Sequence, residues 1–289
     1  MTDTNTNTNT NTNTNTNTDV TVILNYYNKS VDMLDRQLTD LQNQSHQPKY
    51  IWGCFFGCKD DSLIDAFLKW KSVFPNLNYI KSDYNFKYIG RYQIALTAPT
   101  EYVVILDDDR FPGKDFIKRT LEILSVKDCV IGQYGWVLNE RKQDINGLFV
   151  FPSQMIGIKE KKLYTNYSEI DLYAKNTGKL KYTANIPKEY AEKYTHFAED
   201  DKSLFHVDYL CGGSSFRKST LCKLFNNPIP TVETGEDILF CLNAKKSGIP
   251  VFCFSADNDE VLVAYDNDTS STCGAYILRK RSELIRKFL

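Results

Sequence analysis

The stretch that decides the fold is YVVILDDD, residues 102–109, in which an apolar run ends in three consecutive aspartates. The run is short, β-branched and free of Gly and Pro, which predicts a buried strand. Open α/β sheets bind ligands at the carboxyl ends of their strands, so Asp107, Asp108 and Asp109 are expected there. A divalent cation relieves the repulsion among such like charges. Because a carboxylate-held cation suits a ligand that carries phosphates, the stretch predicts a nucleotide or nucleotide-sugar site.

The sequence around this stretch alternates between strand and helix patterns. Short β-branched or aromatic runs are separated by segments whose apolar residues recur at helical spacing. Such alternation predicts an α/β fold with a mostly parallel central sheet covered by helices on both faces. The predicted strands are 20–24, 49–56, 77–80, 102–106 and 129–137, and the predicted helices begin near residues 30, 62 and 87 and after Gly113.

The second half of the chain is less regular. Residues 139–205 are polar and rich in tyrosine, and their pattern predicts no definite elements. Regular patterns return with a strand at 206–210, a Gly212-Gly213 turn, helices at 217–225 and 236–244, and a strand at 250–254.

The two ends of the chain differ from the rest. Residues 1–18 are nearly a pure Thr/Asn repeat, which buries nothing and predicts disorder. Residues 276–289 predict a basic amphipathic helix, which either docks on its own domain or contacts a membrane surface.

Composition excludes several classes of function. The net charge of −1 over 289 residues argues against a nucleic-acid partner. No apolar run reaches the length of a membrane span, and no signal-like segment opens the chain, so a cytoplasmic location is expected. None of the eight cysteines forms a CxxC pair, which predicts buried free thiols in a reducing compartment.

Other acidic motifs fit this sequence poorly. An EF-hand loop is interrupted by Pro112, and Lys118 stands where the loop needs a bidentate Glu. Phosphatases of the haloacid dehalogenase type want Thr or Val at the position of Phe111. The chain also has no P-loop, Rossmann fingerprint, HExxH or GxSxG motif.

Several motifs follow one another in a distinctive order. Tyr27-Asn28 follows the first strand, and a helix with a Leu/Gln pattern comes next. Residues 59–62 (KDDS) follow the second strand, and Arg91 precedes the aspartate trio. Glu236-Asp237 opens a late helix, downstream of residues 207–217 (VDYLCGGSSFR).

This order resembles that of the GT-A-fold glycosyltransferases, and most closely their family 2. The resemblance covers about residues 20–137 and 205–254, with the trio as the DxD motif. It implies a single GT-A domain over 19–289, with a nucleotide-sugar-binding half at 19–137 and an acceptor-binding half at 138–289. Residues 139–205 are expected to recognise the acceptor, since aromatic faces with hydroxyls suit polar ligands.

The resemblance also assigns roles to single residues. Asp60 and Asp61 are alternatives for the contact to the nucleoside base. The implied sites are catalytic Asp237 and Glu236; nucleotide-sugar contacts Tyr27, Asn28, Asp60, Asp61, Arg91, Asp107 and Asp108; and Mn²⁺ or Mg²⁺ ligands Asp109 and Asp107.

The expected reaction moves a sugar from a UDP- or GDP-linked donor to a hydroxyl of a glycan, a glycoprotein or another acceptor. A carboxylate-held metal stabilises the departing diphosphate, and Asp237 takes the proton of the acceptor hydroxyl in an inverting reaction. Two alternatives use the same acids: a phosphatase or nucleotidyltransferase, and a non-catalytic module that binds a sugar or nucleotide.

Overall fold

The computed structural model describes thirteen stretches of the chain. They are residues 18–27, 30–58, 61–87, 89–132, 135–138, 142–143, 149–150, 153–159, 162–168, 198–201, 204–210, 212–225 and 235–254. Residues 1–17 of the segment 1–18, for which disorder was predicted, lie outside these stretches, as do the predicted helix at 276–289 and much of the segment 139–205.

The first half of the chain alternates strand and helix as predicted. Its apolar runs are buried, and its helices place their apolar stripes against the sheet. Its elements are β1 (Val20–Tyr26), α1 (Val31–Gln42), β2 (Tyr50–Phe56), α2 (Ser62–Lys69) with a 3₁₀ turn at Trp70–Ser72, β3 (Leu77–Ser82), α3 (Ile89–Ala95), β4 (Tyr102–Asp107), α4 (Phe116–Val126) and β5 (Val130–Gly132).

The second half adds short strands and two helices. Its elements are β6 (Gly135–Leu138), β7 (Lys142–Gln143), β8 (Phe149–Val150), β9 (Ser153–Lys159), β10 (Lys162–Ser168), β11 (Leu204–His206), β12 (Tyr209–Leu210), β13 (Gly213–Arg217), α5 (Lys218–Leu224), α6 (Glu236–Lys246) and β14 (Val251–Phe254).

The central sheet has eight strands in the order β11-β14-β5-β13-β4-β1-β2-β3. The pairs β1–β2, β2–β3, β1–β4 and β5–β14 are parallel, whereas β13 is antiparallel to β4 and β5, and β11 to β14. A second, antiparallel sheet has the order β10-β9-β6-β12, and β7 pairs with β8. The prediction of a mostly parallel α/β sheet is therefore confirmed.

Helices cover both faces of the central sheet, as the sequence predicted. Apolar residues of α1, α2 and α4 pack in one core cluster, and those of α3, α5 and α6 pack in the other. Residues 236–244 of α6 are all buried, so this helix begins and runs inside the domain.

The prediction of one strand over 129–137 is wrong. The run divides into β5 and β6, which belong to different sheets. A Cβ at Gly135 would lie 2.5 Å from the Val207 side chain, so the glycine allows the beginning of β6 to lie close to Val207, which follows β11. The predicted strand at 206–210 divides in the same way, because β11 pairs with β14 and β12 pairs with β6.

Candidate functional site

The aspartate trio forms a turn at the carboxyl end of β4. The amide of Arg110 donates to the carbonyl of Asp107 at 3.0 Å, which closes the turn. The amide of Asp107 donates to the carbonyl of Gly212 at 3.2 Å, and Gly213 pairs with Leu106 in the sheet. The antiparallel strand β13 therefore brings the Gly212-Gly213 turn against the aspartates. The order of motifs along the chain did not predict this contact.

Two buried glutamines of α1 and its C-terminal end hold the loop that follows β4. Gln37 Nε2 donates to the carbonyls of Asp107 and Arg110 at 2.8 and 2.7 Å, and Gln37 Oε1 accepts from the Tyr26 hydroxyl at 2.9 Å. Gln44 Nε2 donates to the carbonyl of Gly113 at 2.7 Å. Sequence reasoning missed Gln37, although a glutamine inside the apolar stripe of a helix was a usable signal.

The three aspartates have different partners. Asp107 is in direct contact with the Arg91 guanidinium. Asp108 Oδ2 accepts from the backbone amide of Tyr27 at 3.4 Å, which joins the ends of β1 and β4. Asp109 Oδ1 lies 3.4 Å from Arg110 Nε in an ion pair.

Arg110 packs directly over Gly212. A Cβ at Gly212, whose φ is +82°, would lie 1.8 Å from Arg110 Nε. Any larger residue at this position would displace the guanidinium, so the glycine leaves the space that Arg110 occupies. Leu106, Gly132 and Ser214 line the same small cleft.

Arg91 connects the aspartate turn to the beginning of α6. Its side chain is buried, it contacts Asp107 on one side, and its Nη2 donates to Glu236 Oε1 at 3.0 Å. The structure therefore brings three predicted site residues from distant parts of the sequence into one ion-paired cluster.

The predicted base, Asp237, lies in the first turn of α6. Its exposed fraction is 8%, and its Oδ1 accepts from the backbone amide of Ile238 at 2.8 Å. Gly235, with a φ of +76°, precedes the helix and sets the direction in which α6 begins.

Two of the remaining predicted nucleotide contacts, Tyr27 and Asp61, follow β1 and β2. Tyr27 is 43% exposed, as a base-stacking residue requires. Asp61 is exposed, and its carboxylate accepts from Lys81 Nζ at 2.7 Å. Asn28 and Asp60 lie outside the described residues.

Two exposed aromatic residues at the same edge were not predicted. Tyr84 and Phe86 follow β3, and their ring centroids are 5.0 Å apart. Because β1, β2 and β3 are parallel, their carboxyl ends lie side by side, so these rings belong to the same edge of the sheet as Tyr27. Exposed rings in a polar loop after a strand were the signal available in the sequence.

The donor chemistry around Asp109 fits a divalent cation. Within the described stretches, no three His, Cys, Asp or Glu side chains come together as a complete ligand set. However, Mg²⁺ is commonly held by one or two carboxylates, with substrate phosphates and water completing its shell. Asp109 Oδ1 is buried and accepts no hydrogen bond from the described residues, so it has the lone pairs that a cation needs.

All but one of the described cysteines agree with the prediction of buried thiols. Cys54, Cys129, Cys241 and Cys253 are free and buried, whereas Cys222 is exposed. Burial raises the pKa of the Cys54 thiol to about 12, so it is protonated at neutral pH.

Comparison with known proteins gives one family and one fold. The model of a family described as "Glycosyl transferase family 2" matches residues 21–210. No protein with a curated function matches the sequence. Among solved structures, the fold is similar to "Crystal structure of GalNAc-T7 with UDP, GalNAc and Mn2+", with a TM-score of 0.54 and 10% sequence identity. That match covers 82% of this chain and 41% of the other, so this chain spans about two fifths of the length of its neighbour.

In the part of the chain that the structure describes, no helix is both long and apolar enough to cross a bilayer.

Proposed function

Because the chain belongs to glycosyl transferase family 2, we propose that it transfers a sugar from a UDP- or GDP-linked donor to an acceptor hydroxyl. The observation that carries this proposal is the meeting of the Asp107–Asp109 turn with the beginning of α6 through Arg91. A donor diphosphate and an acceptor hydroxyl must lie close together for transfer. The link through Arg91 supports this proposal, because it brings acids proposed for the donor side and for the acceptor side close together.

The donor is proposed to lie along the carboxyl ends of β1 to β4. Tyr27 would stack on the base, and Asp107 and Asp108 would set the edge of the ribose and diphosphate site. Asn28 and either Asp60 or Asp61 complete the proposed set of donor contacts. The neighbour structure, which contains UDP and Mn²⁺, supports a nucleotide donor and a divalent metal for this fold.

Asp109 is the proposed main ligand of Mn²⁺ or Mg²⁺. Its Oδ1 lies 3.4 Å from Arg110 Nε, whereas Asp107 Oδ1 is in closer contact with the buried guanidinium of Arg91. When bound, a divalent cation neutralises the charge that develops on the departing diphosphate. Arg110, which pairs with Asp109, adds a second positive charge beside this position.

Asp237 is the proposed general base of an inverting reaction. Its position inside the domain, at the first turn of α6, shields the carboxylate from bulk water. From there it would take the proton of the acceptor hydroxyl as that oxygen attacks the face of the sugar opposite the diphosphate. Glu236 is paired with Arg91, which leaves the base role to Asp237. The acceptor is proposed to bind in the half 138–289, with residues 139–205 recognising a glycan, a glycoprotein or another hydroxyl compound.

A calorimetric titration tests the donor and metal parts of this proposal. UDP and GDP are titrated into the wild type, Asp109→Asn and Asp65→Asn, each with Mn²⁺ and with EDTA. We expect Mn²⁺ to strengthen nucleotide binding in the wild type and in Asp65→Asn, an exposed aspartate of α2, but not in Asp109→Asn. Equal affinity with Mn²⁺ and with EDTA would rule out the metal role.

A turnover assay tests the reaction class. The enzyme is incubated with a panel of nucleotide sugars, and released UDP or GDP is measured with and without sugar acceptors. Phosphate release from general phosphatase substrates would favour a phosphatase instead. Nucleotide binding without turnover over long incubation would favour a non-catalytic binding module.

A further inference from the structure

Arg91 is buried between two acids that come from distant parts of the sequence. Its exposed fraction is 1%, and its two terminal nitrogens contact Asp107, at the end of β4, and Glu236, at the beginning of α6. Resemblance to the family implied a nucleotide contact for Arg91. Such a contact requires an exposed guanidinium, which this side chain does not have.

We propose that Arg91 is a positioning residue that fixes the aspartate turn and the first turn of α6 relative to each other. It does so without touching the donor. Asp107 is two residues from the proposed metal ligand Asp109, and Glu236 is the neighbour of the proposed base Asp237. A shift of Arg91 would therefore move the donor side and the acceptor side of the site apart. This inference rests on the proposed function and adds a residue to it.

The helix that carries Arg91 is itself fixed against α6. The neighbouring residue Tyr92 shares a hydrogen bond with Ser214 Oγ at 3.1 Å, and its ring centroid lies 4.6 Å from that of Phe240 in α6. The backbone of α3 is thereby held at a set distance from α6 and from β13. The guanidinium can then serve as a spacer of constant length between two carboxylates.

The chemistry of arginine suits this role better than that of lysine. A planar guanidinium presents several donors in a rigid fork, so it can hold two carboxylates at a defined angle. An ammonium is a single point charge on a flexible stem. Burial of an ion pair contributes little net stability, because desolvation offsets the attraction. A buried Arg between two acids is therefore better explained by geometric specificity than by stability.

Arg91→Lys tests the role by kinetics, with Arg119→Lys as the matched control. Arg119 also contacts two acids, Glu122 and Asp201, but neither of them belongs to the aspartate turn or to the first turn of α6. For Arg91→Lys we expect kcat to fall by about 10²-fold while the dissociation constant of UDP with Mn²⁺ stays nearly unchanged. Arg119→Lys should keep both values.

Two kinetic outcomes would overturn the proposal. A loss of UDP affinity that parallels the loss of kcat would make Arg91 a donor ligand. A normal kcat per folded molecule, with only a lower melting temperature, would make it a structural residue.

Hydrogen exchange tests the connection without any substrate, so it remains informative if no glycosyl transfer is found or if Arg91→Lys does not fold. Asp107→Asn weakens one end of the bridge, and we expect amides of α6 to exchange about tenfold faster as a result. Glu236→Gln should have the reciprocal effect on the end of β4. Arg119→Lys should leave both regions unchanged. Unaltered exchange of α6 in Asp107→Asn would show that Arg91 does not couple the two motifs.

Discussion

Gln37→Met is the sharpest test of how α1 supports the site. The substitution keeps the length and volume of the side chain but removes three buried or partly buried hydrogen bonds, to the carbonyls of Asp107 and Arg110 and from the Tyr26 hydroxyl. At about 1 kcal/mol net for each bond, the free energy of unfolding should fall by about 3 kcal/mol. Domains of roughly 150–250 residues lose about 2–4 °C in melting temperature for each kcal/mol of stability, so the melting temperature should fall by about 6–12 °C.

Urea unfolding of Gln37→Met and Gln47→Met measures this difference. Gln47 is exposed, and it donates two hydrogen bonds to nearby carbonyls of its own segment. Its replacement should therefore change the unfolding free energy by no more than about 0.5 kcal/mol. Nucleotide binding with Mn²⁺ should also weaken in Gln37→Met, because the loop carrying Asp109 loses its support. Equal stabilities and equal nucleotide affinities of the two variants would refute the role assigned to Gln37.

Three further predictions concern the base, the turn of β13 and the thiols. Asp237→Asn should lower kcat by about 10²–10⁴-fold with little change in UDP affinity, measured by nucleotide release and calorimetry; an unchanged kcat would exclude Asp237 as the base. Gly213→Ala should destabilise the protein by several kcal/mol more than Gly248→Ala, as measured by urea unfolding. A Cβ at position 213 would lie 2.5 Å from the Ile105 carbonyl oxygen, whereas a Cβ at position 248 would have no atom of the described residues within 4 Å. Iodoacetamide at neutral pH should label Cys222 but not Cys54, whose thiol is buried and has a pKa raised to about 12, as peptide mass spectrometry of the native protein would record.

The strands and helices of the first half could be predicted because each is specified locally. The run at 102–107 is buried over its apolar residues, and the helix after Ser30 begins where a capping hydroxyl accepts from the amide of Met33. Parallel strands place their carboxyl ends at one edge, so the amino-acid pattern alone was enough to locate the aspartates at the carboxyl edge of the sheet. Periodicity and capping carry this information within a dozen residues.

The contacts inside the site could not be predicted, because they join residues far apart in sequence. Arg91 and Glu236 are separated by 145 positions, and nothing in either segment specifies that they meet. The antiparallel insertion of β13 between β4 and β5 is equally non-local, yet it decides that Gly212 faces Arg110. The run 129–137 divides between two sheets, and Gly135 lies close to Val207, a contact between residues far apart in sequence that hydropathy does not encode.

The charge balance of the trio changes the reason for expecting a metal. From sequence, repulsion among three aspartates called for a cation. In the structure, Arg91 and Arg110 pair with Asp107 and Asp109, and the Tyr27 amide donates to Asp108. The protein therefore compensates part of the charge itself, although Arg91 is shared with Glu236, so the repulsion that favours a bound ion is smaller than the sequence suggested.

The stronger argument for a cation is that Asp107 and Asp109 have different partners. Asp107 belongs to the buried cluster with Arg91 and Glu236, where one guanidinium is paired with both carboxylates and offsets one of their two charges. Asp109 keeps a buried oxygen that accepts no hydrogen bond from the described part of the chain, and its partner Arg110, at 3.4 Å, lies over a glycine turn. A cation at Asp109 would thus compete with one partly exposed arginine, whereas a cation at Asp107 would have to break a buried ion pair. We therefore expect a cation to bind at Asp109, while the proposed role of Arg91 is to hold the neighbouring Asp107 in place.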